Sequence, residues 1–252
     1  MNKFIITTPA YKVARWVELY VSTLKLQSYK NFEVYFIDDA SPDNTIDVVT
    51  KAVDGDPRFH IHRNETNVGS PLANIVKATD LANPADNDII VNIDGDDWLS
   101  SVFVLEYLNQ VYEQTGCWMT HGTYQIYPSG DIGGHAELVL PDEISRLNIY
   151  KQYPFVTSHL RTYKAGLFKK INREDLLDPR TNNIYKEASD LALMFPMLEM
   201  AGNDKIMKIT DILLILNREN EMNEATLNLS KQKETEHIIR TQQKVYGRLD
   251  KI

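Results

Sequence analysis

The chain has 252 residues, of which 43% are hydrophobic and 25% are charged, and its formal net charge is −8 at pH 7. This composition is ordinary for a globular protein with a sizeable core, and the negative charge argues against a general nucleic-acid-binding protein, because such proteins cluster Lys and Arg. The single cysteine, Cys117, excludes an internal disulfide and a cysteine-based zinc site.

The first part of the chain alternates predicted strands and helices. Apolar and β-branched runs predict strands at 3–8, 32–37, 59–62 and 89–93, and helical spacing predicts helices at 14–27, 43–53 and 71–82. Ser70 is expected to cap the third helix, with Pro71 at its first position. This alternation predicts an α/β fold with a mostly parallel sheet and helices on both faces.

Polar loops follow three of these strands, at 8–11, 38–41 and 94–97. Since ligands bind in the crevice at the carboxyl ends of parallel strands, we expect these loops to converge on one site. Asp94, Asp96 and Asp97 crowd three negative charges into four residues, which favours a bound cation such as Mg²⁺ or Mn²⁺. The alternative is a solvated turn that uses Asp and Gly for backbone reasons.

The second part predicts a helix at 101–114, a strand at 117–127 and a turn-rich break at 129–134. An extended segment at 156–163 carries His159 and Arg161. A helix is expected at 187–201, where Pro196 predicts a kink or a restart. One or two strands follow at 205–216, and helical spacing continues from 224 to 252 with an apolar stripe formed by Ile238, Val245, Leu249 and Ile252.

We expect one domain in which 1–128 and 129–223 form two lobes and 224–252 forms a C-terminal helix. The polar face of that helix is more typical of a solvated surface than of a membrane contact. No apolar run approaches the ~18 residues that span a bilayer, and the apolar part of the N-terminus is short for a signal peptide. We therefore expect a cytoplasmic protein, which also fits the single cysteine.

Six segments together resemble the family 2 glycosyltransferases with the GT-A fold. In chain order these segments read TTPAYKVARWVELYVSTLKLQSYKNFEVYFIDDASPDNT, NVGSPLAN, NIDGDDWL, SHLRTYKAGLF, SDLALMFPMLEMAG and ILNRENEMNEA. The third resembles the DxD-type metal motif of the family, and the last three look like the acceptor half of a branch often seen in phage, viral and bacterial surface-sugar enzymes. The resemblance covers about residues 3 to 225.

The resemblance implies the Rossmann-like GT-A architecture, with helices around a mostly parallel sheet and a C-terminal helical extension. It also implies transfer of a sugar, with inversion, from a nucleotide diphosphate donor to a hydroxyl of a glycan or glycolipid. A UDP-sugar is the expected donor, and Mn²⁺ or Mg²⁺ is the expected cofactor. The expected setting is the cytoplasm of a bacterial or virus-infected cell, with peripheral membrane contact as a further possibility.

By the same resemblance, Asp190 is the expected general base, with Glu187 as the nearest substitute. Asp97 is the expected metal ligand, assisted by Asp96, which also lies on the ribose side. Asp39 would accept a hydrogen bond from the nucleobase. The full set of expected donor-binding residues is Thr8, Pro9, Ala10, Tyr11, Asp39, Asp94, Asp96, His159, Arg161 and Arg218.

One position departs from the family pattern: where many relatives carry Arg after Ala, this chain has Ala73 followed by Asn74. We therefore expect no arginine contact to a nucleobase or phosphate from that position. A sugar nucleotidyltransferase would need a glycine-rich loop after the first strand, which is absent from the sequence there. A non-catalytic sugar- or nucleotide-binding protein with the same fold remains the alternative from another class.

Overall fold

An eight-stranded mixed sheet runs through the computed structural model, which describes residues 1–133, 140–220 and 229–252. The strands are β1 (Phe4–Ala10), β2 (Phe32–Asp38), β3 (Phe59–Arg63), β4 (Ile89–Asn92), β5 (Trp98–Leu99), β6 (Met119–Tyr127), β7 (Arg161–Lys164) and β10 (Ile206–Asn217), with β8 (Leu177–Asp178) and β9 (Asn183–Ile184) forming a separate hairpin. The strand order is β3-β2-β1-β4-β7-β6-β10-β5.

The sheet is parallel from β3 to β4 and again between β6 and β10. Strand β7 lies antiparallel between β4 and β6, and β5 pairs antiparallel with β10. The predicted strands of the first part are confirmed, whereas β5 and the β8–β9 hairpin were not predicted. Strand β7 belongs to the second predicted lobe and pairs with β4 of the first, so both lobes share one sheet; the division into lobes stays a prediction.

Helices cover both faces of the sheet. Their bounds are α1 (Val17–Lys25), α2 (Thr45–Val53), α3 (Pro71–Ala82), α4 (Val104–Thr115), α5 (Asp142–Leu147), α6 (Ala165–Lys169), α7 (Ser189–Ala201) and α8 (Leu229–Gln242). Side chains alternate along the strands, as in β4, where Ile89 and Val91 pack with α1, α2 and α4 while Ile90 packs with α3, α6 and α7. The two larger hydrophobic cores of the described residues therefore lie on opposite faces, and a smaller cluster is formed by Ile5, Tyr35, Ile37 and Ala78.

The start of α3 follows the sequence prediction. The side-chain oxygen of Ser70 accepts a hydrogen bond from the Ala73 backbone N–H at 3.1 Å, and Pro71 occupies the first turn. Among the described residues, no helix combines the length and apolar character that a membrane crossing requires.

The prediction of helix from 243 to 252 is wrong, because the chain there is not helical. Helix α7 runs through Pro196 without a restart, and the alternative, a kink at Pro196, stays a prediction. Val245, predicted on the apolar stripe, is 58% exposed, whereas Leu249 and Ile252 do pack on the second core. The helix ends because the Lys151 ammonium donates to the carbonyls of Gln243 and Lys244, at 3.3 Å and 2.7 Å. Residues 224–228 of the predicted helix lie outside the described residues.

Candidate active site

Three polar loops meet at the carboxyl edge of the parallel strands. The Asp39 N–H donates to the Ala10 carbonyl at 2.8 Å, and the Gly95 N–H donates to the Pro9 carbonyl at 3.0 Å. The loops after β2 and β4 are thereby tied to the end of β1. This arrangement follows from the parallel pairing of the three strands, which brings their carboxyl ends to one edge.

Glycine at position 95 allows this close approach. A Cβ built on Gly95 would lie 2.9 Å from the Ala10 Cβ and 3.3 Å from a methyl group of Val13. Contacts this short are repulsive, so a larger residue would push the acidic loop away from β1. The glycine therefore sets where Asp94 and Asp96 lie relative to the first strand.

The three acids of this loop have different surroundings. The Asp94 side chain is exposed on the crevice floor, Asp96 is half-buried, and Asp97 is buried with 4% of its surface exposed. Desolvation by the surrounding protein and the charge of Asp96 raise the pKa of Asp94, and Asp190 adds to the effect while Arg161 opposes it. Desolvation likewise raises the pKa of Asp96 and of Asp97. A cation near Asp94 and Asp96 would relieve this repulsion.

Two residues at and after the end of β10 donate hydrogen bonds to two of these acids. The Asn217 N–H donates to Asp97 Oδ1 at 2.8 Å, and Asn220 Nδ2 donates to Asp96 Oδ2 at 2.7 Å. Sequence reasoning missed both asparagines. The available signal was a run of polar residues directly after a predicted strand, which places them at the same sheet edge.

The position of Asp97 revises its predicted role. Because its carboxylate is buried and accepts a backbone hydrogen bond, it stabilises the turn between β4 and β5 and presents little surface to the crevice. Asp96 is the better placed of the two for a cation. Among the described residues, no three carboxylate, imidazole or thiolate side chains form a ready metal site, so a cation there would need further ligands from substrate or water.

The Asp39 carboxylate is used within the protein. Its Oδ1 accepts from Asn64 Nδ2 at 2.6 Å and from the Val68 N–H at 2.9 Å, and its Oδ2 accepts from the Gly69 N–H at 2.9 Å. Asn74, which stands where many relatives have Arg, also contacts Asn64, at 2.9 Å. Asp39 therefore orders the loop that precedes α3, and its direct contact with a base stays a prediction.

The predicted residues at the end of β1 separate into two groups. Thr8 is fully buried and its hydroxyl hydrogen-bonds the Tyr20 hydroxyl, so its side chain points into the core and the expected donor contact is not supported. Pro9 and Ala10 are buried in the strand, and Tyr11 is half-buried in the loop that follows. Tyr11 is therefore the member of this group that keeps part of its surface exposed.

Asp190 and Arg161 form an ion pair at this edge. Arg161 Nη2 lies 3.0 Å from Asp190 Oδ2, and the two side chains are 12% and 35% exposed. Arg161 Nε also donates to the Thr157 carbonyl at 2.8 Å, and Nη1 lies 3.1 Å from His159 Nε2. Burial and the Arg161 charge lower the pKa of His159 well below its usual range. The imidazole is therefore neutral and accepts a hydrogen bond from Arg161 through Nε2. Because Nε2 is used in this way, the arrangement does not favour His159 as a metal ligand.

Arg218 follows β10 and is exposed. Its backbone N–H donates to the Tyr127 carbonyl at 2.9 Å. Its charge opposes the rise in the pKa of Asp97 and adds to the lowering of the pKa of His159. Arg218 thus contributes positive charge to the crevice edge. Glu187, the predicted substitute for Asp190, is half-buried just before α7.

Comparison with known proteins identifies the family. Residues 5–172 match the sequence profile of glycosyl transferase family 2, so the chain belongs to this family. A curated protein of Haemophilus influenzae, described as an uncharacterized glycosyltransferase, is 29% identical over 119 residues, which cover 47% of this chain and 46% of that protein. The chain thus spans about half the length of this relative. The matched profile ends before Asp190 and Arg218.

Solved structures confirm the GT-A fold. S. aureus TarS in complex with UDP-GlcNAc has a TM-score of 0.71 at 20% identity, covering 94% of this chain and 65% of that one. Glucosyl-3-phosphoglycerate synthase of Mycobacterium tuberculosis, in complex with Mn²⁺, UDP-glucose and phosphoglyceric acid, has a TM-score of 0.58 at 16% identity, covering 95% and 79%. At these identities the likeness is one of fold.

Proposed function

We propose that this glycosyltransferase moves a sugar from a UDP-sugar to a hydroxyl of a glycan or glycolipid, with inversion at the anomeric carbon. The observation that carries the proposal is the placement of two charged groups at one sheet edge. Asp94 and Asp96 lie on the crevice floor, and the Asp190–Arg161 pair acts electrostatically on Asp94. UDP-sugars in the structures of TarS and of the mycobacterial synthase support the choice of donor.

The acidic loop fits a divalent cation. Asp94 and Asp96 have raised pKa values and keep part of their surface exposed. Their carboxylates provide hard oxygen ligands for Mg²⁺ or Mn²⁺. We assign the ligand role to Asp96, with Asp94 beside it and Asp97 shaping the turn. When bound, the cation would neutralise charge that develops on the leaving nucleoside diphosphate. Mn²⁺ in the mycobacterial synthase structure supports this assignment.

The donor's base and ribose would lie against Tyr11 and the ends of β1 and β2. Asp39 acts on this pocket by ordering the loop at 64–69. Arg218 and the N–H groups of Arg161 that no acceptor among the described residues uses would contribute positive charge next to the diphosphate. Arg161 also holds Asp190 in place.

An inverting transfer requires one base opposite the leaving group, which takes the proton of the acceptor hydroxyl as that oxygen attacks. Asp190 has this role in the proposal. It lies in the first turn of α7 and keeps 35% of its side chain exposed, so an acceptor hydroxyl has access to it. The bond that forms joins the acceptor oxygen to the anomeric carbon, and the bond that breaks releases the nucleoside diphosphate.

The setting of the reaction is a further part of the proposal. Cys117 is a free, buried thiol, which fits a reducing compartment such as the cytoplasm of a bacterial or virus-infected cell. The acceptor would be a surface glycan or its lipid-linked precursor, and peripheral contact with a membrane would then bring enzyme and acceptor together.

The test is a donor panel. The protein is incubated with Mn²⁺ and UDP-GlcNAc, UDP-glucose or GDP-mannose, with and without candidate acceptors, and release of the nucleoside diphosphate is followed. We expect release from a UDP-sugar that stops when EDTA removes the metal, and an inverted anomeric proton signal in the product by NMR. Binding of a donor without turnover under any condition would refute the transfer.

A further inference from the structure

Helix α7 carries Asp190 in its first turn, and the rest of the helix is enclosed by protein. Residues 191 to 201 are all buried, which is typical of a helix packed on every side. The position of Asp190 relative to the acidic loop is therefore set by how α7 is held in the second core.

The hydrogen-bond ladder of α7 has a gap close to Asp190. Pro196 lacks the N–H that would donate to the carbonyl of Ala192, four residues earlier. Ala192 is fully buried, so water does not replace the missing donor, and an unpaired carbonyl in this place would be costly. The gap lies two residues after Asp190.

The side chain of Gln243 fills this gap. Its Nε2 donates to the Ala192 carbonyl at 2.8 Å and to the Asp175 carbonyl at 3.0 Å. Gln243 is buried and follows the last residue of α8, where its own N–H donates to the Ile239 carbonyl at 3.3 Å. A donor from a distant part of the chain therefore completes the helix that carries Asp190.

A buried ion pair fixes Gln243 in this position. The Lys151 ammonium lies 2.9 Å from Glu199 of α7, and the two side chains are 5% and 1% exposed. Lys151 also donates to the carbonyl of Gln243, while the other carboxylate oxygen of Glu199 accepts from the Tyr246 N–H at 2.8 Å. The segment 243–252 is thus bonded to α7 at Ala192, at Glu199 and at Met200, whose carbonyl accepts from the Leu249 N–H at 2.9 Å.

We propose that Gln243 is a positioning residue for the base: its amide replaces the N–H that Pro196 lacks and fixes the helical turn that carries Asp190. The inference rests on the proposed function, in which Asp190 accepts the acceptor's proton. Gln243 itself contacts no substrate in this proposal. Its effect should appear in the chemical step rather than in donor binding, because the donor loops lie on other elements.

The main variant is Gln243→Met, which keeps the length of the side chain and removes the donor. We expect kcat with the best donor of the panel to fall about tenfold, as for a misplaced catalytic group, with KM for that donor within about twofold of wild type. Gln242→Met is the matched control, since Gln242 is exposed at the end of α8 and should keep wild-type kinetics.

The substitution Pro196→Ala should rescue the Gln243→Met variant. Residue 196 then has its own N–H for the Ala192 carbonyl, so Gln243→Met in the Pro196→Ala background should recover most of kcat. Hydrogen exchange at residues 191–195, measured without donor, should rise in Gln243→Met and return toward wild type in the double variant. If Gln243→Met does not fold, the double variant still tests the rescue. No loss of kcat in Gln243→Met, or no recovery in the double variant, would overturn the proposal.

A double-mutant cycle of Gln243→Met and Asp190→Asn distinguishes the positioning role of Gln243 from the role of Asp190 as the base. If Gln243 acts through the base, adding Gln243→Met to Asp190→Asn should lower kcat little further, whereas a general structural role would give independent losses. Full activity of Asp190→Asn would refute the role of the base. A strongly reduced Asp190→Asn with an additive loss from Gln243→Met would refute the positioning role alone.

Discussion

Asp96 and Asp97 are neighbours in sequence, yet their side chains face different surroundings. Asp96 is half-buried and bonded to a side-chain amide, while Asp97 is buried and bonded to a backbone N–H. Both residues lie in the turn before β5, where the end of β10 offers a backbone N–H to Asp97 and a side-chain amide follows for Asp96. A carboxylate that must bind a cation needs open surface, and Asp96 has more of it.

The Asp96→Asn variant should therefore lose Mn²⁺-dependent donor affinity by more than about tenfold, since loss of a ligand exceeds the usual effect of a supporting residue. Asp97→Asn is the matched comparison: the amide oxygen still accepts from the Asn217 N–H, so affinity should stay close to wild type. Titration calorimetry with UDP in the presence and absence of Mn²⁺ measures both. If Asp97→Asn lost the Mn²⁺-dependent affinity and Asp96→Asn kept it, Asp97 would be the metal ligand.

Asp190→Asn should leave donor binding near wild type and lower the rate of transfer by ~10²-fold or more, the usual contribution of a general base. The amide oxygen still accepts from Arg161, so the local structure should persist. Glu187→Gln is the control and should retain activity. Single-turnover rates and donor affinity, measured on the same preparations, separate the two steps. Wild-type transfer by Asp190→Asn together with a slow Glu187→Gln would move the base to Glu187.

At the residue level, sequence reasoning located the charged groups but not their partners. The acids at the strand ends and Asp190 were found because acidic clusters and family motifs are local signals. Asn217, Asn220 and Gln243 were missed because their importance depends on contacts across more than fifty positions of the chain. Such contacts leave no periodic pattern in the sequence.

At the element level, the loop between β4 and β5 depends on the size of residue 95. Gly95→Ala should destabilise the fold by ~1–3 kcal/mol, because its Cβ would lie 2.9 Å from that of Ala10, and it should raise KM for the donor. Gly247→Ala is the control, since a Cβ there meets nothing within 4 Å. Urea unfolding and donor kinetics measure the two effects. Equal stability of the two variants would contradict the packing argument.

The ion pair between Lys151 and Glu199 joins α7 to the C-terminal segment. Burial lowers the pKa of Lys151 and raises that of Glu199, while each charge opposes the effect on the other. Lys151→Met should cost ~3–5 kcal/mol because it leaves a buried carboxylate without its partner. Adding Glu199→Met should recover part of this loss, although the bonded carbonyls and the Tyr246 N–H stay unpaired.

Arg146→Met is the control for this pair, because the ion pair of Arg146 with Glu143 is exposed and such pairs contribute less than about 1 kcal/mol. Urea unfolding compares the variants. If the double variant were less stable than Lys151→Met, the buried carboxylate would not be the source of the loss.

Elements with strong local signals were predicted well, as α3 shows with its Ser70 cap and Pro71. The limits of α7 were also predicted well, but the donor from Gln243 that pairs with its Ala192 carbonyl at Pro196 was not. The end of α8 at Gln242 was missed, because there Lys151 donates to the carbonyls that follow. Helical spacing in the local sequence predicts neither of these distant contacts.

At the scale of the whole molecule, alternating strands and helices predicted the parallel part of the sheet and the edge where the site lies. The antiparallel insertion of β7 between β4 and β6 was not predicted, because strand pairing between distant segments is not encoded in a short run such as Arg161–Lys164. That insertion matters for the site, since it brings Arg161 to the crevice edge opposite Asn92.

The acid stability of the whole fold should depend on buried histidines. Burial, with Lys208 and Arg161 nearby, lowers the pKa of His121 to about 4, whereas an unfolded chain has a histidine pKa of ~6.5. The unfolded state then binds more protons between these values, so this contribution to stability is complete above pH ~6.5 and is lost as pH falls toward 4, by about 3 kcal/mol in total. His159 acts in the same direction.

The acidic loop opposes this trend, because carboxyl groups with raised pKa values, such as that of Asp94, favour the folded state when protonated. The difference between wild type and His121→Asn therefore isolates the histidine. Urea midpoints measured from pH 7.5 to 4 should fall less steeply in His121→Asn, with the two curves converging toward low pH. Parallel curves over that range would mean that His121 is already charged in the folded protein, or that its burial does not resist protonation.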